Sequence, residues 1–570
     1  MVMIRYPDES KSMTRLKSIL YRMRWWLAII ATPIMLVAFR PADDNLFEIS
    51  RNLDVFTTLF RELMIYYVDP TEPQELVTTG IDAMLESLDP YTQFIPESEA
   101  DDYRFMTTGQ YGGIGALIGQ REGDVIITDP YEGYPAQKAG LMSGDIIKAI
   151  DGKSVKGKEY DDVSKMLKGQ PNTSISITVL RPGTTQEITR TLQREEIQIK
   201  NVPYYGLLDN AVGYIRLSGF TDDAGREVKD AVQDLKKKGA KGIILDVRSN
   251  PGGLLNEAVN VVNVFVDRGQ EVVSTRGKMK EWDKTYKALN AAIDTKIPLA
   301  VLVNPNAASA SEIVSGALQD LDRAIVIGQR TFGKGLVQTT RPLSYNAQLK
   351  ITTAKYYIPS GRCIQALDYA HRKADGSVDK VADSLVNEFK TSQGRKVYDG
   401  GGISPDYITE IPVYSSISQS LASHYLLFDY ATEFRIKNPS IAPAKTFRLS
   451  DEDYNRFVAW LDGKEYDYVT DSEKKLEDFK AKAEKEKYFA MISKDYETLA
   501  ASLRHDKKSD LQLHKAEIKE LLENEIVSRY YYQNGRIENS FDSDVEVKLA
   551  LKALNNPSVY SAIFNRTYKD

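Results

Sequence analysis

An alternation of apolar strands and amphipathic helices along residues 211–327 constrains the fold more than any other feature of the chain. The sequence predicts strands at 211–217, 242–247, 298–303 and 324–327, with helices at 222–237 and after Gly253. The last two strands are continuous apolar runs, as in strands that are covered on both faces. Elements that alternate in this way predict a layered α/β core.

The sequence Asp-Val-Arg-Ser-Asn-Pro-Gly-Gly at 246–253 joins one predicted strand to the next helix. Gly252 and Gly253 stand at this junction, where backbone N–H groups lack helical partners and can face a developing anion. An Asn-Pro-Gly-Gly stretch is equally typical of an ordinary turn. Both interpretations remain open from these residues alone.

Ser309 and Lys334 lie in two turns of small residues, Asn-Ala-Ala-Ser-Ala-Ser-Glu and Thr-Phe-Gly-Lys-Gly. A serine hydroxyl attacks poorly unless a neighbouring base takes its proton. A lysine, with an ordinary pKa of about 10.4, can be that base only in a partly desolvated site. Phe332, Leu336 and Val337 flank Lys334 as apolar neighbours.

A simpler interpretation makes Ser309 a helix N-cap, with Glu312 completing a capping box, and Lys334 a surface residue of a glycine turn. The histidine content favours the catalytic interpretation. The four histidines, His371, His424, His505 and His514, lie outside any recognisable nucleophile or metal motif. A Ser-His-Asp triad could still assemble from distant positions.

The chain has 570 residues, which is enough for three or four domains. Its hydrophobic fraction of 42% is that of a globular protein, and its net charge of −6 argues against nucleic-acid binding. Cys363 is the single cysteine, so neither an intrachain disulfide nor a thiol metal site can form.

Basic residues precede an uncharged stretch at 25–39, which ends at Arg40-Pro41. This pattern predicts a secretion signal or a membrane anchor over residues 1–42. The stretch is short of the roughly 20 residues that span a bilayer comfortably, and no clean cleavage site follows it. A cleaved signal and a retained anchor both remain open, with a buried core helix as a third interpretation.

Residues 47–100 show helical apolar spacing and predict two helices joined by a loop, which could form a cap or a dimer arm. Residues 103–199 resemble a PDZ domain, most specifically through Gly140, Leu141, Gly144, Asp145 and Ile150. PDZ domains add the C-terminal end of a peptide to a sheet edge and hold its carboxylate with backbone amides. A small domain that only packs is the alternative.

The resemblance to a PDZ domain also selects the loop that would hold a peptide carboxylate. This loop is Tyr111-Gly112-Gly113-Ile114-Gly115.

Several further motifs follow in a fixed order: Leu-Asp-Pro-Tyr-Thr at 88–92, Ala-Ser-Ala-Ser-Glu at 308–312, Thr-Phe-Gly-Lys-Gly-Leu-Val-Gln at 331–338 and Gly-Gly-Ile-Ser-Pro-Asp at 401–406. Together with the PDZ region they resemble the carboxy-terminal processing proteases of peptidase family S41, over roughly residues 47–411. The small departures are Ala307-Ala308 before the serine and Gln329-Arg330 in place of an acidic-basic pair.

The resemblance implies a nucleophile at Ser309, a general base at Lys334 and a positioning role for Gln338. Its motif places the nucleophile two residues before the serine of Ser-Glu, which selects Ser309 over Ser311. No cofactor and no metal are implied.

The family also implies an oxyanion hole formed by the backbone amides of Ala310 and the Gly252-Gly253 turn. An arginine after the last PDZ strands is expected to couple peptide capture to catalysis, and Arg181 is the candidate.

Residues from about 412 onward fall outside the resemblance. Alternating charges at 471–487 and apolar spacing at 511–532 predict helices there. We expect an α/β multidomain protein with a layered ββα-type protease core, an inserted PDZ domain, a helical N-terminal segment and a mainly helical C-terminal region. The predicted boundaries are 1–42, 43–102, 103–199, 200–411 and 412–570.

The expected function is that of an exported serine endopeptidase, periplasmic or anchored in the membrane facing the periplasm, acting on proteins with accessible C-termini. A homo-oligomer or an adaptor contact through the helical regions is a further expectation. The alternative is a catalytically silent PDZ scaffold protein of the envelope, which intact Ser309, Lys334 and Gln338 disfavour. Acyl transfer to a small molecule would leave the PDZ domain without a purpose.

Overall fold

The structure is a computed structural model that describes residues 44–373, 375–503 and 507–569. The predicted signal or anchor at 1–42 and His505 lie outside these residues. Among the residues described, none of the helices combines the length and the apolar character needed to cross a bilayer. The chain divides into two compact units, one up to Met84 and one from Leu85 onward.

The first unit is helical, as predicted. It contains α1 (Asp44–Tyr66) and most of α2 (Pro73–Glu86), which are joined by a short loop. Within this unit the Thr71 hydroxyl contacts the sulfur of Met64 at 3.4 Å. The prediction of two helices and a connecting loop is confirmed.

The second unit begins with β1 (Gln93–Ile95) and α3 (Ala100–Thr108) and continues into a small β domain. The strands of that domain are β2 (Gln110–Gly113), β3 (Ala116–Arg121), β4 (Asp124–Pro130), β5 (Ile146–Ile150), β6 (Lys153–Ser154), β7 (Ser174–Leu180), β8 (Glu187–Gln193) and β9 (Glu195–Gln198). Its helices are α4 (Pro135–Lys138) and α5 (Tyr160–Leu167).

Strand order in the main sheet of this domain is β3-β4-β5-β7-β8, while β2 pairs with β9. Alternate residues of the strands, such as Ile147, Ile177 and Val179, are buried and form its core. Strand β3 lies at the sheet edge, and no other strand among the described residues pairs with its outer side. The PDZ architecture predicted from the sequence is therefore present.

An α/β core follows as a chain of strands and helices. Its strands are β10 (Tyr204–Leu208), β11 (Val212–Arg216), β12 (Gly242–Asp246), β13 (Glu271–Gly277), β14 (Lys284–Lys287), β15 (Leu299–Val303), β16 (Ile325–Gly328), β17 (Leu336–Pro342), β18 (Gln348–Tyr357), β19 (Glu388–Lys390), β20 (Lys396–Tyr398) and β21 (Tyr407–Ile408). Its helices are α6 (Ala224–Lys237), α7 (Leu255–Asn263) and α8 (Ala310–Asp320).

Two sheets make up this core. The first has the order β10-β11-β12-β15-β16-β21, in which β10 is antiparallel and the other neighbours pair in parallel. The second is antiparallel, with β18 between β1 and β13, β14 beyond β13, and β17 also paired with β18. Because α8 follows β15 and β17 follows β16, the turns that carry Ser309 and Lys334 emerge near each other.

Both faces of the parallel sheet are buried, as the apolar strands predict. One set of alternating residues, including Leu245 and Val301, packs with α6, α7 and α8. The other set, including Ile244 and Leu302, packs with the last two helices of the chain. Alternation along each strand places the two sets on opposite faces.

The C-terminal region is helical, as predicted. It contains α9 (Ser416–Ser423), α10 (Leu426–Lys437), α11 (Asp451–Trp460), α12 (Asp471–Lys485), α13 (Phe489–Leu503), α14 (Lys507–Leu513), α15 (Lys515–Ser540), α16 (Val545–Asn555) and α17 (Pro557–Phe564). Helices α9, α10, α11, α14 and α15 contribute to an apolar core of their own. Helices α16 and α17 instead cover the second face of the parallel sheet. The α/β multidomain fold class is thus confirmed.

Candidate active site

Ser309 is the residue immediately before α8, at the end of the loop that leaves β15. Its backbone has φ 54° and ψ −113°, a conformation that a residue with a side chain seldom adopts. Such conformations cost of order 1–3 kcal/mol and cluster at active sites, where the surrounding structure enforces them. The tertiary contacts of this turn therefore hold Ser309 against its local preference.

Glu312 supplies the first of these contacts. Its fully buried carboxylate accepts hydrogen bonds from the N–H groups of Ser309 at 2.8 Å, Gly333 at 2.8 Å and Lys334 at 2.9 Å, and from the Thr331 hydroxyl at 2.5 Å. Burial raises the pKa of Glu312 to about 7, and the four donated hydrogen bonds oppose that rise. One carboxylate thereby ties the serine turn to the lysine turn.

Tyr356 ties the same two turns from the carbonyl side. Its hydroxyl lies 3.2 Å from the carbonyl oxygen of Ser309 and is also hydrogen bonded to that of Lys334. The Tyr356 side chain is fully buried. The backbones at 309 and 334 are thus held together by two shared side chains.

The amine of Lys334 lies over an aromatic ring. Its Nζ is 4.1 Å from the ring centroid of Tyr91. The backbone N–H of Tyr91 donates to the carboxylate of Asp89 at 2.9 Å. Burial, and to a smaller extent the positive charge of Lys350, lower the pKa of Lys334 to about 8, although Asp89 and Glu312 act in the opposite direction. The amine therefore has the partly desolvated setting that a lysine base requires.

The apolar neighbours of Lys334 differ in part from those expected. Leu336 is buried, but Phe332 is half exposed, and the ring that covers the amine belongs to Tyr91. Gln338 donates from its amide to the Thr352 hydroxyl at 3.1 Å. In the part of the chain that the structure describes, Gln338 makes no hydrogen bond to Lys334.

The Gly252-Gly253 turn lies directly against the serine. A Cβ atom built on Gly252 would approach the Ala308 carbonyl oxygen and the Ser309 Cβ to 2.8 Å and the Ala310 nitrogen to 2.9 Å. The N–H of Gly252 donates to the Asn250 side chain. Those of Gly253 and Ala310 donate no hydrogen bond within residues 44–373, 375–503 and 507–569, so both can meet an oxyanion.

Asn250 connects this turn to the serine loop. Its carbonyl oxygen accepts from the Ala308 N–H at 3.1 Å and from the Ser311 hydroxyl at 2.9 Å. Its side-chain amide donates to the Leu217 carbonyl at 2.9 Å. Ser311, the other serine at the helix start, is therefore buried and occupied in a structural hydrogen bond.

The predicted peptide loop runs from β2 to the edge strand β3. The carbonyl of Gly112 accepts from Gly169, that of Ile114 from Ala136 and that of Gly115 from Tyr131. Within the described ranges, the N–H groups of Ile114 and Gly115 donate no hydrogen bond. A loop whose carbonyls are satisfied and whose amides are free is suited to an anionic group.

Two further residues of that loop, Tyr111 and Gly113, belong to β2 and pair with Ile197 and Glu195 of β9. The Tyr111 ring packs edge-on against Phe105 of α3, with ring centroids 5.2 Å apart. These contacts fix the N-terminal side of the loop on α3 and β9.

Arg181 lies at the end of β7, still within the PDZ fold. Its guanidinium pairs with the buried carboxylate of Asp145 at 2.8 and 2.9 Å and with the Gly140 carbonyl at 2.7 Å. In the residues described here it makes no hydrogen bond or ion pair with Ser309, Lys334 or Gln338. Its predicted coupling role stays a prediction.

Sequence reasoning missed three residues that hold the site. Glu312 was visible only as a capping residue, Tyr91 only as part of a Leu-Asp-Pro-Tyr-Thr turn, and Tyr356 carried no signal of its own. The described residues contain no group of three or more His, Cys, Asp or Glu side chains arranged to hold a metal ion.

Comparison with protein families gives three matches. A model described as peptidase family S41 matches residues 211–370, a PDZ domain model matches 126–181, and a model described as a probable PDZ-protease C-terminal helical domain matches 417–554.

Individual relatives agree with these matches. A carboxy-terminal-processing protease of Bartonella bacilliformis is 37% identical over 321 residues, covering 56% of this chain and 73% of the relative. A probable CtpA-like serine protease of Staphylococcus aureus is 35% identical over 390 residues, covering 68% and 76%. Among solved structures, a photosystem II D1 C-terminal processing protease aligns with 30% identity and a TM-score of 0.33, over 62% of this chain and 92% of the other.

Proposed function

The chain belongs to the carboxy-terminal processing proteases of peptidase family S41, and on that premise we propose that Ser309 and Lys334 form its catalytic dyad. It is a serine-type peptidase with a PDZ domain. The observation that carries the proposal is the shared anchoring of the two residues. Glu312 accepts from both N–H groups, and Tyr356 contacts both carbonyl oxygens.

In the proposed reaction, the Ser309 hydroxyl attacks the scissile carbonyl while the neutral amine of Lys334 takes its proton. The tetrahedral intermediate carries its negative charge on the former carbonyl oxygen, which faces the free N–H groups of Gly253 and Ala310. Collapse breaks the C–N bond, and the Lys334 ammonium returns the proton to the leaving amine. Water then hydrolyses the acyl-enzyme by the same steps.

Gln338 would orient the amine once substrate is bound. In the present structure its amide reaches Thr352, on the strand paired with β17. Catalytic hydrogen bonds are often long or misaligned without substrate and tighten in the complex. A rotation of the Gln338 side chain away from Thr352 is the change that this role requires.

Substrate tails would be captured by the PDZ domain. The free N–H groups of Ile114 and Gly115 would hold the terminal carboxylate, and the peptide would extend β3 as an added strand. The basic N-terminus and the uncharged stretch that follows support export of the enzyme, as a secreted or an anchored protein.

The test is cleavage of an unfolded protein with an apolar free C-terminus by the wild-type chain, Ser309→Ala and Lys334→Ala. Loss of cleavage in both variants, with unchanged thermal unfolding, is expected. Retained cleavage in Ser309→Ala would overturn the proposal. The same protein with an amidated C-terminus tests tail capture separately, since KM should rise and kcat should change little.

A further inference from the structure

Arg248 lies between the end of β12 and the Gly252-Gly253 turn, which is called the oxyanion turn below. Three carboxylates surround its guanidinium. Asp246 lies at 2.6 Å, Asp544 at 2.7 Å and Glu546 at 3.1 Å. The side chains of Arg248, Asp544 and Glu546 are 16%, 13% and 10% exposed. Two of the three acidic partners come from the C-terminal region, which follows the matched protease core.

Asp544 and Glu546 are held firmly in place. Asp544 caps α16 by accepting from the Val547 N–H at 2.9 Å. Glu546 accepts from the Gln329 amide at 2.8 Å and from the Thr409 hydroxyl at 2.7 Å. Gln329 and Thr409 directly follow β16 and β21, so Glu546 also ties together the strand ends beside the catalytic motifs.

The charges of the side chains around Arg248, called the Arg248 cluster, nearly balance. Asp246, Asp544 and Glu546 face Arg216 and Arg248, with Arg216 pairing to Asp246 at 2.9 Å. The balance depends on a neutral residue at 329. A carboxylate at position 329 would lie beside that of Glu546. The described contacts of these residues include no additional cation that would compensate its charge.

The backbone of Arg248 transmits this anchoring to the turn. Its N–H donates to Asp246 at 2.9 Å, and its carbonyl accepts from Arg216 at 2.7 Å. Asn250 follows two residues later and bonds both Gly252 and the Ser309 loop. A displacement of Arg248 would therefore shift the N–H groups that face the oxyanion.

We propose that Asp544 and Glu546 are positioning residues of the active site, which hold the oxyanion turn in place through Arg248. The C-terminal region thus completes the protease core, in addition to covering its sheet. This inference rests on the proposed function, because it assigns the Gly252-Gly253 turn to the oxyanion hole.

The test measures peptide cleavage and thermal unfolding for Glu546→Gln, Gln329→Glu and the double variant, beside Asp542→Asn as the matched control. Asp542 also precedes α16, but it is 66% exposed and pairs with Arg448 instead of Arg248. Each single variant in the cluster should lose about 10- to 100-fold in kcat with little change in KM, because small displacements of catalytic groups have effects of this size. The control should keep its activity.

A merely structural role would lower the unfolding temperature without a specific effect on the transition state. If Asp544 and Glu546 instead act through the oxyanion turn, affinity for a peptide boronic acid, whose adduct with Ser309 mimics the tetrahedral intermediate, should fall together with kcat in each single variant. Binding of a labelled apolar C-terminal peptide should not change. The double variant Gln329→Glu/Glu546→Gln restores one carboxylate beside one amide, so it should recover activity to within about threefold of wild type.

Full kcat and unchanged boronic acid affinity in Glu546→Gln, alongside an inactive Ser309→Ala, would overturn the inference and leave the proposed function standing. The inference would also be overturned if kcat of the double variant were no higher than that of the less active single variant. Retained cleavage in Ser309→Ala would overturn both. If Glu546→Gln fails to fold, Gln329→Glu and the double variant carry the same comparison.

Discussion

Two sites in this protein each contain two N–H groups that donate no hydrogen bond in the described part of the chain, but the structure supports them differently. The peptide loop uses Ile114 and Gly115, whose carbonyls are bonded to other residues of the PDZ domain. The proposed oxyanion site uses Gly253 together with Ala310, and the buried side chains of Asn250 and Ser311 brace the Gly252-Gly253 turn. A loop that binds varied tails needs only local order, whereas a group that stabilises a transition state must be preorganised.

The largest effect is expected at the oxyanion turn itself. Gly252 has φ 102°, and a methyl group there would meet Ser309 and Ala308 at 2.8 Å. Gly252→Ala should displace the proposed donors Gly253 and Ala310 and lower kcat by about 10²- to 10³-fold with a small change in KM, as for loss of one oxyanion donor. Steady-state kinetics on a tail substrate measures this. Gly239→Ala, at φ 92° with open space around it, controls for backbone strain alone.

A smaller and different effect is expected at the peptide loop. Gly115 has φ 71°, and a Cβ there would lie 2.4 Å from the Cβ of Tyr134. Gly115→Ala should raise KM for substrates with a free apolar C-terminus by about tenfold, a loss of roughly 1.4 kcal/mol in binding, with kcat nearly unchanged. Gly123→Ala is the matched control, since it has φ 83° and no neighbouring atom. If Gly115→Ala instead lowered kcat and left KM unchanged, the peptide loop and the oxyanion turn would not differ in function as proposed.

The pH dependence distinguishes the proposed active site from the peptide loop, because the proposed base, Lys334, belongs to the active site. Lys334 has a pKa of about 8, so its neutral form grows as pH rises and kcat/KM should increase through pH 8. Below pH 7 the profile should steepen, since Glu312 then takes up a proton and loses acceptor capacity. Binding of a labelled tail to the PDZ domain should stay flat over pH 6–9. A flat kcat/KM profile would contradict the assignment of Lys334 as base.

The smallest expected effect concerns Lys350, whose positive charge lowers the pKa of Lys334. Lys350→Met keeps the apolar stem and removes the charge, so the rising limb of kcat/KM should move to higher pH by less than about one unit. The plateau at high pH should remain. Lys355→Met, an exposed lysine on the same strand, is the control and should leave the limb in place.

Much of the architecture was predictable because it is encoded locally. The apolar runs of β15 and β16 mark strands covered on both faces. The alternating charges at 471–487 and the apolar spacing at 511–532 indicated helices where the structure has α12, α14 and α15. The same holds for the candidate nucleophile and base, since each stands in a short motif of small residues. Local pattern therefore determined the fold class and the positions at which chemistry was expected.

The supports of the site were not predictable in this way. Glu312 has the spacing of a capping residue, yet its carboxylate also bonds Gly333 and Lys334 across the core. Tyr91 reaches Lys334, and Glu546 reaches Arg248 at a separation of 298 residues. Periodicity shows which face of an element is buried, but not which distant element will cover it.

By itself, the sequence determined a layered α/β core, an inserted PDZ domain, helical ends and the candidate residues Ser309 and Lys334. Only the tertiary structure decided what holds those two residues together: one buried carboxylate and one tyrosine hydroxyl. It also decided that the acidic start of α16 pairs with Arg248. The physical reason is that motifs depend on neighbours in the chain, whereas preorganisation depends on hydrogen bonds between side chains that only the folded core brings together.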